Sequence, residues 1–325
     1  MKISKTLFAV GSLALVMSCS TVKTSSIKSK NGKTYAEISQ KEGGSWNGRK
    51  YSGGNFKNVQ TLVLNPLHTD HSFDIRYEGP GWESNKIGYR LYLDWRNAID
   101  IYGKKTEEIV LPNVGQDGFD SYHEMSDWGA DILKVGKGLG IGAIGRVVNG
   151  EMLHFNDVEK TTASVENNKA NSKVTVDYKG WKTNGQSTDF TSELTIFPDE
   201  RYTQHTVKSS NALDGIVTGI VNLYKLPLIQ RTVPNGKWGY IATYGKQTLF
   251  DDNLGMAVFY KISDTEEIYK GKDDYLIRFK PTTEKVTFYF LGAWEKEPNG
   301  IKTEKEFLKY LNQNLSKLNA GNVLK

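Results

Sequence analysis

Arg90, Tyr92, Asp94 and Arg96 occupy every second position of the run Tyr89–Arg96. A pleated strand projects such residues to one side and sends Tyr89, Leu91, Leu93 and Trp95 to the other, as an apolar core face. The planar fork of an arginine suits a carboxylate, because it makes two parallel charge-assisted hydrogen bonds. A tyrosine beside it can stack or transfer a proton, and an aspartate can hold a guanidinium in place. The polar side therefore reads as a cleft wall for an acidic ligand. The plain alternative is a solvent face laced with cross-strand ion pairs.

A second group lies in Asp120-Ser121-Tyr122-His123-Glu124-Met125-Ser126-Asp127-Trp128-Gly129. The segment Tyr122–Val135 is predicted to be helical, which sets His123 and Asp127 four apart on one face. A carboxylate at that distance orients the imidazole and raises its pKa toward neutral pH. Tyr122 adds a phenol, Trp128 a flat platform, and Lys134 and Lys137 add cations. The plain alternative is a surface histidine among ordinary helix charges. His68 and His71 flank Asp70 at a spacing that permits a metal pair. No third histidine or cysteine completes it, so they read as loop residues and no metal is expected. His205 stands in a predicted strand and faces either way.

Several chemistries lack their residues. There is no Gly-x-Ser-x-Gly elbow, no His-Glu-x-x-His helix and no phosphate-binding loop. Gly140-Ile141-Gly142-Ala143-Ile144-Gly145 fits the dinucleotide fingerprint in spacing only. A strand and the Asn149-Gly150 turn follow it instead of a helix, so a glycine-rich backbone turn is expected and no cofactor. The formal net charge of +5 is mild and carries no basic block interleaved with aromatics, which sets nucleic acid aside.

These residues need a scaffold, and the composition points to an all-β one. The 325 residues are 38% hydrophobic and 24% charged, enough apolar material for a large core. Glycine is frequent (32) and proline scarce (8), which suits short strands joined by glycine turns. From about residue 59 the hydrophobic period is two, as in Lys173–Tyr178 and Lys285–Phe290, the latter with a more apolar second face. Further strands are predicted at Thr61–Leu64, Phe73–Tyr77, Ile87–Trp95, Glu193–Phe197, Tyr202–Val207, Ile216–Leu223, Met256–Ile262 and Tyr275–Phe279. Many strands without alternating helices imply a mainly antiparallel β-sandwich or barrel. Residues 304–318 form a closing helix, with Phe307, Leu308, Leu311, Leu315 and Leu318 on one face and a Thr303/Glu306 capping box.

The amino terminus reads as an address. Lys2 and Lys5 precede an apolar run, Leu7–Met17, that ends in Leu15-Val16-Met17-Ser18-Cys19, a pattern similar to a bacterial lipobox. Cys19 is the sole cysteine, so it has no internal disulfide partner, and lipidation is its expected role. Two or more acyl chains anchor durably where one does not. Removing residues 1–18 leaves 307 and takes away two lysines, lowering the formal charge to +3. Residues 19–33 are expected to be a flexible tether and 34–325 a single β-sandwich domain. The segment after Cys19 lacks an acidic run, which favours the periplasmic face of the cell envelope over the cell surface.

Two of these stretches carry a likeness. The motif Ile87-Gly88-Tyr89-Arg90-Leu91-Tyr92-Leu93-Asp94-Trp95-Arg96-Asn97-Ala98-Ile99-Asp100-Ile101-Tyr102-Gly103-Lys104 resembles one in a lipoprotein family of Bacteroidetes polysaccharide-utilisation systems. So does Tyr122–Gly129 with its continuation Asp131–Lys137. That family includes the ulvan oligosaccharide dehydratase, and the likeness spans roughly residues 60–315. It implies a sandwich akin to the galactose-mutarotase supersandwich, and removal of water from the non-reducing-end uronate of an oligosaccharide. On that chemistry Arg90, Arg96 and Lys134 would neutralise the sugar carboxylate, while His123 with Tyr122 or Tyr92 would move protons. Asp127 would set the imidazole tautomer, Trp128 would stack, and Asp94 and His205 would join Tyr92 in holding substrate. A polysaccharide lyase, a mutarotase or epimerase, and a non-catalytic glycan-binding lipoprotein remain as alternatives.

Overall fold

The computed structural model describes residues 29–118 and 121–324. In chain order its strands are β1 (Thr34–Asn47), β2 (Lys50–Val59), β3 (Thr61–Val63), β4 (Gly81–Ser84), β5 (Ile87–Leu91), β6 (Ile99–Lys104), β7 (Gly129–Asp131), β8 (Ile141–Val148), β9 (Glu151–Leu153), β10 (Val158–Asn167), β11 (Ser172–Thr183), β12 (Gln186–Ile196), β13 (Tyr202–Ser209), β14 (Ile216–Val221), β15 (Ile229–Thr232), β16 (Trp238–Lys246), β17 (Asn253–Lys261), β18 (Thr265–Lys270), β19 (Asp274–Phe279) and β20 (Val286–Trp294). One α-helix, α1 (Glu304–Gly321), closes the described chain. The signal segment, Cys19 and the tether up to residue 28 lie outside the described residues. Among those residues no helix is long and apolar enough to cross a membrane.

The strands form three antiparallel sheets. Nine strands run in the order β15-β16-β17-β20-β13-β12-β11-β10-β3, six in the order β2-β1-β4-β5-β6-β7, and five in the order β18-β19-β14-β8-β9. The smaller sheets meet edge to edge through a parallel bridge between Ile99 and Gly140. Together they cover one face of the nine-stranded sheet. Side-chain parity on β20 shows why both faces are dry at this strand. Phe288 and Phe290 enter the main core with Ile87, Leu91 and Ile101, while Tyr289, Leu291 and Ala293 pack under Phe307, Leu311 and Leu315 of α1. The helix begins at the expected capping box, where Thr303 accepts from the Glu306 amide and Glu306 reaches back. The all-β sandwich with a carboxy-terminal helix is therefore as read from the sequence.

Two polar ties set the six-stranded sheet against the large one. The Trp82 indole donates to Thr203 Oγ1 at 2.9 Å, and the Tyr89 hydroxyl donates to the Arg201 carbonyl at 2.6 Å. On that sheet Ala36, Ile38, Trp82, Tyr89, Ile99 and Ile101 face the core. The opposite face carries Glu37, Glu83, Arg90, Asp100 and Lys104, all at most 1% exposed. An outward face of this composition would ordinarily be wet. Here it is buried beneath the segments before β4 and between β6 and β7.

Four local expectations fail for identifiable reasons. Phe73–Tyr77 is a loop that runs into a 3-10 turn, Arg76–Glu78, because Asp74 is taken by His68 and Ser72, and Arg76 by Glu37 and the Pro112 carbonyl. The strand expected over Ile87–Trp95 ends at Leu91. Tyr92 N bonds the Ala98 carbonyl and Asn97 adopts φ 46°, which makes Tyr92–Ala98 a hairpin loop with Trp95 at its tip. Trp95 is 39% exposed and leaves the core face assigned to it. No helix covers Tyr122–Val135: a single 3-10 turn, Ser121–His123, gives way to β7. Ser126 and Gly129 exchange backbone hydrogen bonds there, and Gly129 (φ 130°) lies so close to the Gly103 carbonyl that no Cβ fits. Finally, the long β1–β2 hairpin precedes the region where the period-two signal was read.

Candidate functional site

The site is built on the buried polar face of β5 and β6. Arg90 and Asp100 are direct partners across these strands. The Arg90 Nε donates to both Asp100 oxygens at 3.0 and 2.9 Å, and Nη2 to Oδ2 at 2.8 Å. The same Nη2 reaches Asp131 Oδ2 at 2.9 Å, from β7. Nη1 donates to the Tyr122 hydroxyl at 2.9 Å. The two motif segments singled out in the sequence therefore converge on one guanidinium.

His123 enters from the 3-10 turn. Its Nδ1 lies 3.1 Å from Asp131 Oδ2, with the imidazole 42% exposed and the carboxylate almost wholly buried. Asp131 thus stands beside the imidazole where Asp127 was expected, and Asp127 is exposed on the turn. A buried carboxylate on Nδ1 fixes the ring and directs proton exchange to Nε2.

On the other flank Arg96 grips Asp94, and its Nη2 contacts Asp70 at 2.8 Å and Glu78 at 3.4 Å. The Tyr92 ring lies between the two guanidiniums, 4.4 Å from Arg90 and 3.9 Å from Arg96, a double cation–π arrangement. His71 completes the rim: Nδ1 is 2.8 Å from Asp70 and 3.7 Å from Glu78. Glu78 in turn lies 4.0 Å from Arg90. A continuous path of polar contacts therefore runs from exposed His71 through Glu78, Arg90 and Asp131 to exposed His123. Asp70, His71 and Glu78 present ligand atoms within 4.8 Å of one another, a donor set able to hold a cation. Arg96 occupies two of those carboxylates and competes with any such ion.

The loop that delivers these groups is strained. His71, Phe73, Tyr77 and Glu78 all have positive φ (57°, 65°, 41° and 66°). Non-glycine residues hold such conformations only where the surroundings over-determine them, and they concentrate at functional sites. Here the surroundings are the His68–Asp74–Ser72 knot and the buried Glu37 carboxylate, which accepts from Arg76, Tyr77 and Tyr35.

Among the described residues, the cluster sets the five carboxylates of Asp70, Glu78, Asp94, Asp100 and Asp131 around the two guanidiniums of Arg90 and Arg96. Burial pushes the Asp100 carboxyl up to about 7 against the pull of Arg90, and Asp131 adds to the rise. Burial likewise raises the Tyr92 phenol well above its ordinary value despite Arg90. At Asp70 burial works upward but is outweighed by the hydrogen bond to His71 and the charge of Arg96, which hold the carboxyl below its usual value. Opposed environments for neighbouring acids are what acid–base chemistry requires.

Arg90, Tyr92, Asp94, Arg96, Tyr122 and His123 do come together. Arg90, however, is 1% exposed and saturated by Asp100, Asp131 and the tyrosines, so it organises the site and offers no fork to a ligand. Tyr92 is also buried, and its hydroxyl donates to Asp100 at 2.8 Å, so its place is under the site and not against a sugar. Trp128 is half-buried with its ring edge-on to Tyr102, at 6.0 Å between centroids. Lys134 and Asp127 are exposed and stand outside the contacts just described. His205 is elsewhere: it is buried between Ser192 and the Gly142 carbonyl, and burial drives its imidazole down to about 4. Gly142 has φ 69° and the Phe290 ring where a Cβ would be, which gives the glycine-rich run a packing role in β8. Asp100, Asp131, Glu78 and His71 were not assigned from the sequence. The alternation Asp100, Tyr102, Lys104 did carry a signal, since it matches the polar side of β5.

The family model for a domain of unknown function (DUF4861) matches residues 6–321, and the chain belongs to that family. No curated protein matches it. Among solved structures it is similar to a "Putative kojibiose phosphorylase from human microbiome", with 10% identity and a TM-score of 0.41. That match covers 73% of this chain and 32% of the other, so the chain spans about a third of the length of that structure.

Proposed function

We propose that this chain is a carbohydrate-active dehydratase. It removes water from the non-reducing-end uronate of an ulvan-type oligosaccharide and leaves a 4,5-unsaturated uronate. The observation that supports this reading is the convergence of Arg90, Tyr122, Asp131 and His123, since an exposed imidazole backed by a buried carboxylate is a proton-transfer device. The motif likeness supplies the substrate class, and Cys19 the expected attachment to the cell envelope.

The reaction is a β-elimination. A base takes the proton from C5, the C5–H electron pair becomes the C4=C5 bond, and the C4 hydroxyl leaves as water after an acid protonates it. The C5 proton is acidic enough only if a cation meets the neighbouring carboxylate and stabilises the enolate-like state. Arg96, at 16% exposed, fits that role better than buried Arg90. The sugar carboxylate takes the place of Asp70 on Nη2, one carboxylate for another. His123 exchanges a proton at Nε2. Tyr122 is held by Arg90 beside it, with ring centroids 4.6 Å apart. His71, at the far end of the polar path, is a second proton carrier.

The test is purified protein with a uronate-terminated oligosaccharide, followed by absorbance of the unsaturated uronate and by mass. Loss of one water with no chain shortening is expected. Chain cleavage would show a lyase, and an unchanged mass with saturable binding would show a mutarotase, an epimerase or a binding protein. Either result ends the dehydratase reading.

A further inference from the structure

The five carboxylates and two guanidiniums of the cluster leave it net negative, and His71 and His123 offset that charge only when protonated. Such a site repels an acidic sugar unless cations from outside the cluster meet it. The tip of the β1–β2 hairpin brings two. β1 pairs with β4 only over Thr34–Glu37, so the outer part of the hairpin is a two-stranded ribbon. Two strands alone are marginal, and this ribbon is seated on the loop that carries Asp70 and His71. Three successive residues make the seat. The Arg49 Nη2 donates to the Asp70 carbonyl at 2.6 Å, and the Tyr51 amide donates to the Ser72 carbonyl at 2.7 Å. Between them the Lys50 ammonium lies 5.4 Å from the centroid of the Phe73 ring.

Both cations are exposed, and among the described residues neither forms an ion pair with a carboxylate. Arg90 and Arg96, by contrast, are engaged by acids. A single aspartate separates Arg49 from Arg96: Asp70 receives Arg49 on its carbonyl and, at 2.8 Å, Arg96 on its carboxylate. The two ends of one aspartate are at most about 5 Å apart, which keeps the two guanidiniums within roughly 10 Å of each other. That is about one Debye length at ordinary ionic strength, so the charge of Arg49 acts on an anion at Arg96 without having to touch it. We propose that Arg49, with Lys50 beside it, is the electrostatic capture element of the site, which draws an acidic sugar to Arg96 and selects it over a neutral one. The inference deepens the proposed function and rests on it for Arg96 as the place where the sugar carboxylate docks.

Titration calorimetry at about 20 mM and about 300 mM salt tests it, with two probes: glucuronate β-linked to glucose, and the same disaccharide with glucose in place of glucuronate. The wild type should prefer the acidic probe roughly tenfold or more at low salt, and less at high salt. Arg49→Gln should cut that preference about threefold, and Arg49→Gln with Lys50→Gln about tenfold, with a flatter salt dependence. Arg49→Lys keeps the charge and should keep most of the preference. Lys309→Gln, on the far side of the nine-stranded sheet, should change nothing. If Arg49 only braced the Asp70 loop, its loss would weaken both probes alike, lower the melting temperature and leave the salt dependence as it was. That pattern, a wild type without preference for the acid, or variants that retain it in full, would overturn the capture element. An Arg49-dependent preference without any unsaturated product would remove the dehydratase reading and leave the capture element standing. Product formed by a wild type without that preference would do the reverse.

Discussion

Replacing Arg90 by Met removes the single cation that two buried carboxylates share. Arg90 is 1% exposed and makes three hydrogen bonds to Asp100 and one to Asp131, both of which are themselves at most 1% exposed. Deleting one partner of a buried ion pair costs about 3–5 kcal/mol, because the remaining charge has neither water nor a counter-ion. One escape is open, which is protonation. Burial already lifts Asp100 to about 7 in the presence of Arg90. Without the guanidinium the folded-state value climbs further above the ordinary value of an unfolded carboxylate. A raised folded-state value means that the folded chain holds the extra proton. Stability is then fully present at low pH and lost as pH rises through the folded-state value. The penalty of Arg90→Met should therefore be small at pH 5.5. Above pH 7 it should grow by up to about 1.4 kcal/mol per pH unit. Urea denaturation at pH 5.5, 7 and 8 measures it. Arg90→Met combined with Asp100→Asn, which removes one of the stranded charges, should recover at least half the loss at pH 8. A single variant within about 1 kcal/mol of wild type at pH 8, or a double variant no better than the single, would refute the account of this cluster as a buried, charge-coupled network.

Three further outcomes follow from the same coordinates. His123→Ala should abolish turnover and leave the melting temperature nearly unchanged, because the imidazole is 42% exposed; near-normal turnover would take His123 out of the reaction. His205 is buried and lowered to about 4, so the folded state excludes a proton that the unfolded chain binds below its ordinary value near 6.5. Stability is lost as pH falls through that window, by up to about 3 kcal/mol, and His205→Gln should flatten the acid limb of the stability profile in urea titrations. Gly142→Ala must place a methyl 2.1 Å from the Phe290 ring at φ 69°. It should lower the melting temperature by several degrees or abolish folding, for a loss of about 2 kcal/mol or more; an unchanged melting curve would contradict the packing at β8.

Much of the scaffold is local and so was legible in the residues. Period two marks β11, because a half-buried strand needs nothing beyond its own alternation to declare itself. The Thr303/Glu306 box marks the start of α1, because its hydrogen bonds close within four residues. The grouping of Arg90, Tyr92, Asp94 and Arg96 on one side was likewise a matter of spacing. What those side chains face was not, since the same alternation describes a wet surface and a sealed polar layer. Burial is decided by which distant segments cover the strand, and here those are the loops before β4 and between β6 and β7. Tertiary packing also gave His123 its carboxylate from β7 instead of from Asp127, for Gly129 must approach Gly103 and ends the helix that the charges suggested. Whether an arginine greets a ligand or only holds the wall together depends on how many acids reach it through space, and no spacing along a chain reports that number.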